Sequence, residues 1–409
     1  MNKILTLLNL ICRPGYAGGQ ERLAEYERAF SETVLDDAKM PCLSFWRGRV
    51  ALWTILKALN ICQGDDVIIP AYTCEMVPAA VKFAGGKCRY CDVEQSSFNS
   101  SHENIRQLLT SRTRAIICQH TYGFIQDVRA LTEMVKDCSG TVIEDCCQMA
   151  DYDSRNTGAG ITGAAAFFST QWSKPYSTGL GGMAVFSDRL LYEKSKKIRD
   201  SFSDEFKLKQ AWRLALQVLI YKLTVFPRTK AIMAALYRVL QQVGMIQGTT
   251  TIAEYGDVMP DNYLAGAANV QAALGLQQLQ AWQDNVKHRR ELTAFYLEKL
   301  GEFGIDISLL RDNSGGRALW VVPILVENKQ DILQRAGRSG LPVATWFNRL
   351  PVHIASDTAA RYDYKPGQCP RSERLFMSEI HLLTAPSVTF KLAEKAANMI
   401  KQYAHIINY

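Results

Sequence analysis

The chain has 409 residues, 47% of them apolar and 21% charged, too apolar for a disordered protein and longer than one hydrophobic core usually organises. No uncharged apolar stretch reaches the roughly 18 residues that suggest a membrane span, and a formal net charge of +7 is too small and too local for wholesale nucleic-acid binding. Eleven cysteines without regular spacing or paired CxxC motifs fit reduced, buried thiols in a cytosolic protein and supply no metal site.

The opening MNKILTLLNLICRPG has an apolar run but no small-residue cleavage site, and Arg13-Pro14 follows it closely, so no cleaved leader is expected. Apolar runs rich in β-branched residues then recur as predicted strands: DVIIPAY at 66–72, AIICQH at 115–120, TVIEDC at 141–146, AAAFFST at 164–170 and MAVFSD at 183–188. Helix-like segments such as VALWTILKALNI at 50–61 and QDVRALTEMVKDC at 126–138 lie between several of them. This alternation predicts an α/β domain with a mostly parallel sheet flanked by helices. Ligands bind such sheets at the strand ends, where Tyr72, Thr73, His120, Glu144, Asp145, Ser169 and Thr170 stand.

Between Phe206 and Ala253 there are seven Lys or Arg residues and no acid. Leu208, Trp212, Leu216, Leu219 and Leu223 fall at helical spacing there, with Lys207, Lys209, Arg213 and Lys222 among them. Three readings stay open for this stretch: a surface at 206–240 that contacts anionic lipid, a lid over the phosphates of a nucleotide-linked sugar, or an ordinary helical pair packed on a dimer. QAALGLQQLQAWQDNVKHRRELTAFYLEKL then reads as one long helix or two, leaving the first domain near residue 290. The remainder, with strands in ALWVVPILVE, PVATWF and EIHLLTAP and a closing helix at 388–404, predicts a smaller C-terminal α+β domain. The expected division is a large domain at 1–290, with an N-terminal arm at 1–45 and an insertion at about 200–258, and a small domain at 291–409.

The segment FFSTQWSKPYSTGLGGM at 167–183 sets Lys174 just past a predicted strand, and the proline after it keeps the lysine out of helical conformation. A lysine so held can form a Schiff base with an aldehyde cofactor, and pyridoxal phosphate makes three further demands. A carboxylate must face the ring nitrogen, and Asp145 ends a buried strand. An anion cradle is best built at a helix N-terminus with a glycine for close approach, and Gly48-Arg49 opens one. A hydroxyl near the phosphate is available in Ser169.

In order and spacing, GRVAL at 48–52, IIPAYT at 68–73, QHTYG at 119–123, IEDCCQ at 143–148, FSTQWSKPYSTGLGG at 168–182 and QAALGLQQL at 271–279 resemble the DegT/DnrJ/EryC1/StrS family of sugar aminotransferases. The resemblance implies fold type I of the pyridoxal-phosphate enzymes, with Lys174 as Schiff-base lysine and proton shuttle, Asp145 as partner of the ring nitrogen and Gln148 beside the ring hydroxyl. Ser169 and the backbone of Gly48 and Arg49 would hold the phosphate. Cys74 stands where many relatives stack an aromatic on the cofactor, leaving that task to Tyr72 or Trp172. His120, Tyr122 and His353 are candidates for the substrate side, as is Arg374. Relatives with histidine in place of the lysine are dehydratases, so the resemblance favours amino transfer, from glutamate to an activated or acidic sugar, in a cytoplasmic homodimer. Lyase or desulfurase chemistry through Cys74 or Cys147, and a non-catalytic protein peripheral to the membrane, are the alternatives.

Overall fold

The computed structural model describes residues 20–37, 39–94, 97–138, 140–152, 154–202, 210–218, 254, 256, 258–346 and 361–407. His353, Lys207, Lys209, Lys222 and most of the 200–258 insertion lie outside them, as do residues 1–19.

Seven strands form the larger sheet: β1 Cys42–Phe45, β2 Asp66–Pro70, β3 Lys87–Cys91, β4 Thr113–Gln119, β5 Thr141–Asp145, β6 Ala165–Ser169 and β7 Gly182–Phe186. Their order is β1-β7-β6-β5-β4-β2-β3. β7 runs antiparallel to both neighbours, and the remaining pairs are parallel. The sequence pattern located β2, β4, β5, β6 and β7. The edge strands β1 and β3 gave a weaker signal, one being four residues long and the other carrying Lys87 and Arg89.

Helices cover both faces: α1 Gln20–Val34, α2 Gly48–Ala58, α3 Met76–Ala84, α4 His102–Leu108, α5 Val128–Met134 and α6 Arg189–Asp200. Along β4, Ala115 and Ile117 join the core built on α2 and α3, while Ile116 and Cys118 pack with Ile105 of α4 and Leu131 of α5. This period of two puts apolar residues on both faces, so the strands read as continuous apolar runs. Fully burying each such aliphatic side chain contributes about 1.5–3 kcal/mol. Ser101, Asp127 and Asp188 cap α4, α5 and α6 by accepting from Asn104, Ala130 and Leu191 N–H groups, each cap stabilising by about 1 kcal/mol.

Two helices, α7 Asn269–Leu279 and α8 Trp282–Glu302, lead to a smaller antiparallel sheet of β8 Val321–Leu325, β9 Val343–Ala344 and β10 Glu379–Leu383 in the order β8-β10-β9. Its helices are α9 Lys329–Ser339, α10 Pro370–Ser378 and α11 Phe390–Tyr403. Residue 290 falls inside α8, whose start packs on the larger sheet's side through Trp282 and Tyr152 at 6.0 Å and whose later turns meet α11 through Phe295 and Phe390 at 5.5 Å. Because β2, β4, β5 and β6 share a direction, their last residues lie along one edge of the sheet, together with Gly182 at the start of β7.

Candidate active site

Ser169 ends β6 and pairs directly with Gly182 at the start of β7, so residues 170–181 form a closed excursion from one sheet edge. Two threonines close it. Thr178 N–H donates to Thr170 O at 2.8 Å, Thr170 N–H donates to Gly181 O at 2.9 Å, and the two hydroxyls are 2.7 Å apart. A Cβ at Gly181 would meet those hydroxyls at 2.2 and 2.3 Å, so the closure needs glycine there.

The excursion carries Lys174, and the carbonyls on either side of it are tied down from α8 and from Trp320, the residue before β8. Ser173 O accepts from Trp320 Nε1 at 3.2 Å, and Pro175 O accepts from Asn285 Nδ2 at 3.1 Å and from the Arg289 guanidinium at 3.5 Å. Arg289 is buried and also donates to Thr384 Oγ1 at 3.1 Å and Asn285 Oδ1 at 2.8 Å. Burial lowers its pKa to about 10, so the guanidinium stays charged at neutral pH. Lys174 is itself buried, with its ammonium 4.8 Å from the Trp320 ring centre and 4.5 Å from that of Trp346. The two indoles meet edge to face at 4.6 Å and form an aromatic corner around the lysine's end.

Lys174 faces a pocket that Asp145, Gln148, Ser169, Gly48, Arg49 and Cys74 also line. The cofactor-binding residues expected from the sequence therefore share one cavity. Asp145 ends β5 in a buried position, where its Oδ1 accepts from Cys147 N–H at 2.9 Å. Burial pushes its carboxyl pKa up, while the Cys147 N–H, Lys174 and His120 act in the opposite direction. Gln148 Oε1 accepts from Tyr122 N–H at 2.9 Å, which leaves its NH2 end for the pocket. Tyr122 makes that bond from left-handed backbone, φ +59°, and the same turn aims its carbonyl at Trp320 N–H, 3.0 Å away.

The start of α2 comes exceptionally close to the sheet. A Cβ at Gly48 would lie 3.0 Å from both Phe168 O and Ser169 Cβ, and one at Gly182 would strike Gly48 Cα at 2.4 Å. The first turn of α2, in which Val50 N–H donates to Arg47 O at 3.1 Å, is thereby brought beside Ser169. A buried carboxylate, an amine, and N–H donors next to a hydroxyl in one pocket fit pyridoxal phosphate.

Several expected residues take other places. His120 is fully buried, with Nε2 3.0 Å from Glu144 Oε2 and Nδ1 accepting from Gln126 N–H at 3.2 Å. Glu144 in turn accepts from the N–H groups of Gly160, Thr162 and Gly163. This group braces β4 against β5 behind the pocket, so the substrate-side assignment of His120 is corrected to a structural one. Tyr122 is corrected likewise: fully buried, with its hydroxyl 2.8 Å from that of Tyr72, it supports Gln148 from behind. Neither Tyr72 nor Trp172 lines the pocket, Trp172 packing instead near Leu214 and Ala215. Cys74, Met76 and Val77 form that wall. Burial raises the pKa of the Cys74 thiol and raises that of Cys147 well above its usual value. Both remain thiols at neutral pH, which disfavours cysteine-based lyase chemistry.

The sequence reading missed three features. Gln119 lines the pocket with its amide fully engaged by Thr73, Tyr72 and Thr121. Trp320 and Trp346 hold the lysine. Arg47, one residue before Gly48, also lines the pocket and forms a buried ion pair with Glu254, as does Arg49. The Arg-Gly-Arg triplet was the visible signal for the last of these.

The profile of the DegT/DnrJ/EryC1/StrS aminotransferase family matches residues 11–401. The chain is similar to the GDP-perosamine synthase of Escherichia coli O157:H7, 26% identical over 350 residues that cover 84% of this chain and 80% of that protein. Among solved structures it resembles Helicobacter pylori PseC, an aminotransferase of pseudoaminic acid biosynthesis, with TM-score 0.71, 18% identity and 98% and 94% of the two chains covered. It also resembles Bacillus subtilis NtdA with bound cofactor PMP, with TM-score 0.71, 19% identity and 98% and 82% covered.

Proposed function

The chain belongs to the DegT/DnrJ/EryC1/StrS aminotransferase family, and we propose that it is a pyridoxal-phosphate-dependent sugar aminotransferase of surface-polysaccharide or antibiotic-sugar synthesis, with an activated or acidic keto sugar as acceptor and glutamate as donor. The observation that carries this reading is the buried Lys174 amine sharing one pocket with the buried Asp145 carboxylate at the C-terminal edge of the sheet. Relatives named for GDP-perosamine and for an UDP-N-acetyl-glucosamine derivative aminated at carbon 3 support a nucleotide-linked acceptor.

When bound, the cofactor supplies an electron sink for the electron pair left as an amino-bearing carbon loses its proton. Lys174 is the residue to hold the cofactor and, once freed by an incoming amine, to move that proton with its Nζ. Asp145 keeps negative charge where a protonated ring nitrogen needs it, in a site where burial has already made an unpartnered carboxylate unfavourable. Gln148, oriented by Tyr122, presents its amide to the ring's edge. Ser169 and the N–H groups at the start of α2 hold the phosphate. Trp320 and Trp346 pack against the lysine amine and keep water from it. Donor and acceptor use one site in turn, so the kinetics are ping-pong.

The same reading divides the chain into domains at 1–290 and 291–409 and makes it a cytoplasmic homodimer. Among the described residues no helix is long and apolar enough to cross a membrane. Surface contact with a membrane through 206–240 is proposed on the sequence's basic stripe alone, and His353 is retained as a substrate-side candidate. To test the function, purified protein with pyridoxal phosphate and glutamate is offered a panel of nucleotide-linked keto sugars, and 2-oxoglutarate and the aminated sugar are followed by mass spectrometry. Coupled appearance of both is expected; 2-oxoglutarate absent with every keto sugar would contradict the assignment.

A further inference from the structure

Arg47 and Arg49 flank Gly48 at the start of α2, and both line the pocket. Both are nearly inaccessible, with side chains 8% and 7% exposed, and both pair with Glu254, whose side chain is 2% exposed. Glu254 lies 207 residues from Arg47 in the chain, so the contact is made by folding alone. A guanidinium binds a carboxylate and a phosphate by the same charge-assisted hydrogen bonding, and here one terminal nitrogen of each arginine meets a different oxygen of one carboxylate, which marks a place where an oxyanion is held. The place adjoins the first turn of an 11-residue helix, whose dipole favours anions, and its arginines share the pocket with Ser169 and Lys174.

We propose that the Arg47–Arg49 side-chain pair is a phosphate-monoester or diphosphate site in this pocket, and that Glu254 is a displaceable internal occupant of it. A phosphate brings more charge and more acceptor oxygens than a carboxylate, so it takes over the guanidiniums and Glu254 releases them. Affinity for the phosphate is then set against an intramolecular competitor at high effective concentration. The inference rests on the pyridoxal-phosphate reading for its first candidate ligand, while a nucleotide-linked substrate offers the same chemistry.

The test titrates apoprotein with pyridoxal phosphate, with pyridoxal as the phosphate-free control and inorganic phosphate as competitor, following tryptophan fluorescence and visible absorbance. Glu254→Gln should tighten binding of pyridoxal phosphate and inorganic phosphate on the order of tenfold, by removing the competitor, and leave pyridoxal binding unchanged. Arg49→Gln should weaken the two phosphate ligands and spare pyridoxal. Because the first variant is expected to gain affinity, misfolding cannot mimic it. If Glu254→Gln instead tightens a nucleoside diphosphate on the cofactor-loaded protein and not pyridoxal phosphate, the site is upheld and its ligand is the substrate's diphosphate. Phosphate affinity that is unchanged or weaker in Glu254→Gln overturns the proposal and makes Glu254 a permanent brace. Wild type that binds neither pyridoxal nor pyridoxal phosphate defeats the cofactor reading, and thermal shifts with inorganic phosphate then still decide the anion site.

Discussion

The two walls of the pocket are held by different physics. On one side the excursion bearing Lys174 is fixed by backbone and hydroxyl hydrogen bonds between Thr170, Thr178 and Gly181, and by donors from Trp320, Asn285 and Arg289 to the carbonyls beside the lysine. These bonds are satisfied by the protein itself. On the other side, Arg47 and Arg49 at the start of α2 are held by charge, through a carboxylate that a ligand's oxyanion can replace. The contrast teaches that the Lys174 amine is positioned by the protein's own hydrogen bonds, whereas the proposed anion wall is settled by what binds.

The sharpest way to break this picture is Lys174→Ala. It should leave a folded protein, because the loop's closure does not use the side chain, yet lower transamination by about a thousandfold or more; circular dichroism and turnover assays measure the two halves. Next in size, Asp145→Asn should cost about a hundredfold in turnover. The same variant should raise the apoprotein's Tm at neutral pH. Burial raises the carboxyl's folded-state pKa above its unfolded value, so its contribution to stability is present at low pH and lost as pH rises through the folded pKa. The Tm advantage of the asparagine should therefore shrink on acidification, and an advantage that grows instead would contradict the assigned cause.

A smaller effect tests the self-satisfied wall. Thr178→Val removes the hydroxyl that donates to Leu180 O at 2.6 Å and meets Thr170, and urea denaturation should show a loss of about 1 kcal/mol. Turnover should fall with it while phosphate affinity holds, which would separate the two walls experimentally. Smallest of all, Cys74→Ser should leave turnover close to wild type, and cysteine added to either protein should yield no sulfide.

Much of the site was legible because strand ends in a parallel sheet converge whatever the surrounding detail. Asp145, Ser169 and the Lys-Pro pair could be placed from apolar runs that stop at polar residues. His120 met the same criterion and proved structural, since a histidine at a strand end can turn to either side and the sequence does not say that Glu144 lies behind it. Arg289 stands in KHRRE, where nothing local marks it as the residue that turns inward. The Arg47–Glu254 contact spans 207 positions, a separation at which no periodicity carries information. Cys74 was legible as a departure, but the apolar wall it forms with Met76 and Val77 required the fold.

The most direct test of the account is the absorbance spectrum of the purified protein with pyridoxal phosphate, recorded for wild type and Lys174→Ala before and after glutamate. The account predicts a visible band of lysine-linked cofactor in wild type that bleaches with glutamate and returns with a keto acid, and no such band in the variant. A wild-type protein that stays colourless, or a variant that reproduces the wild-type response, would contradict it.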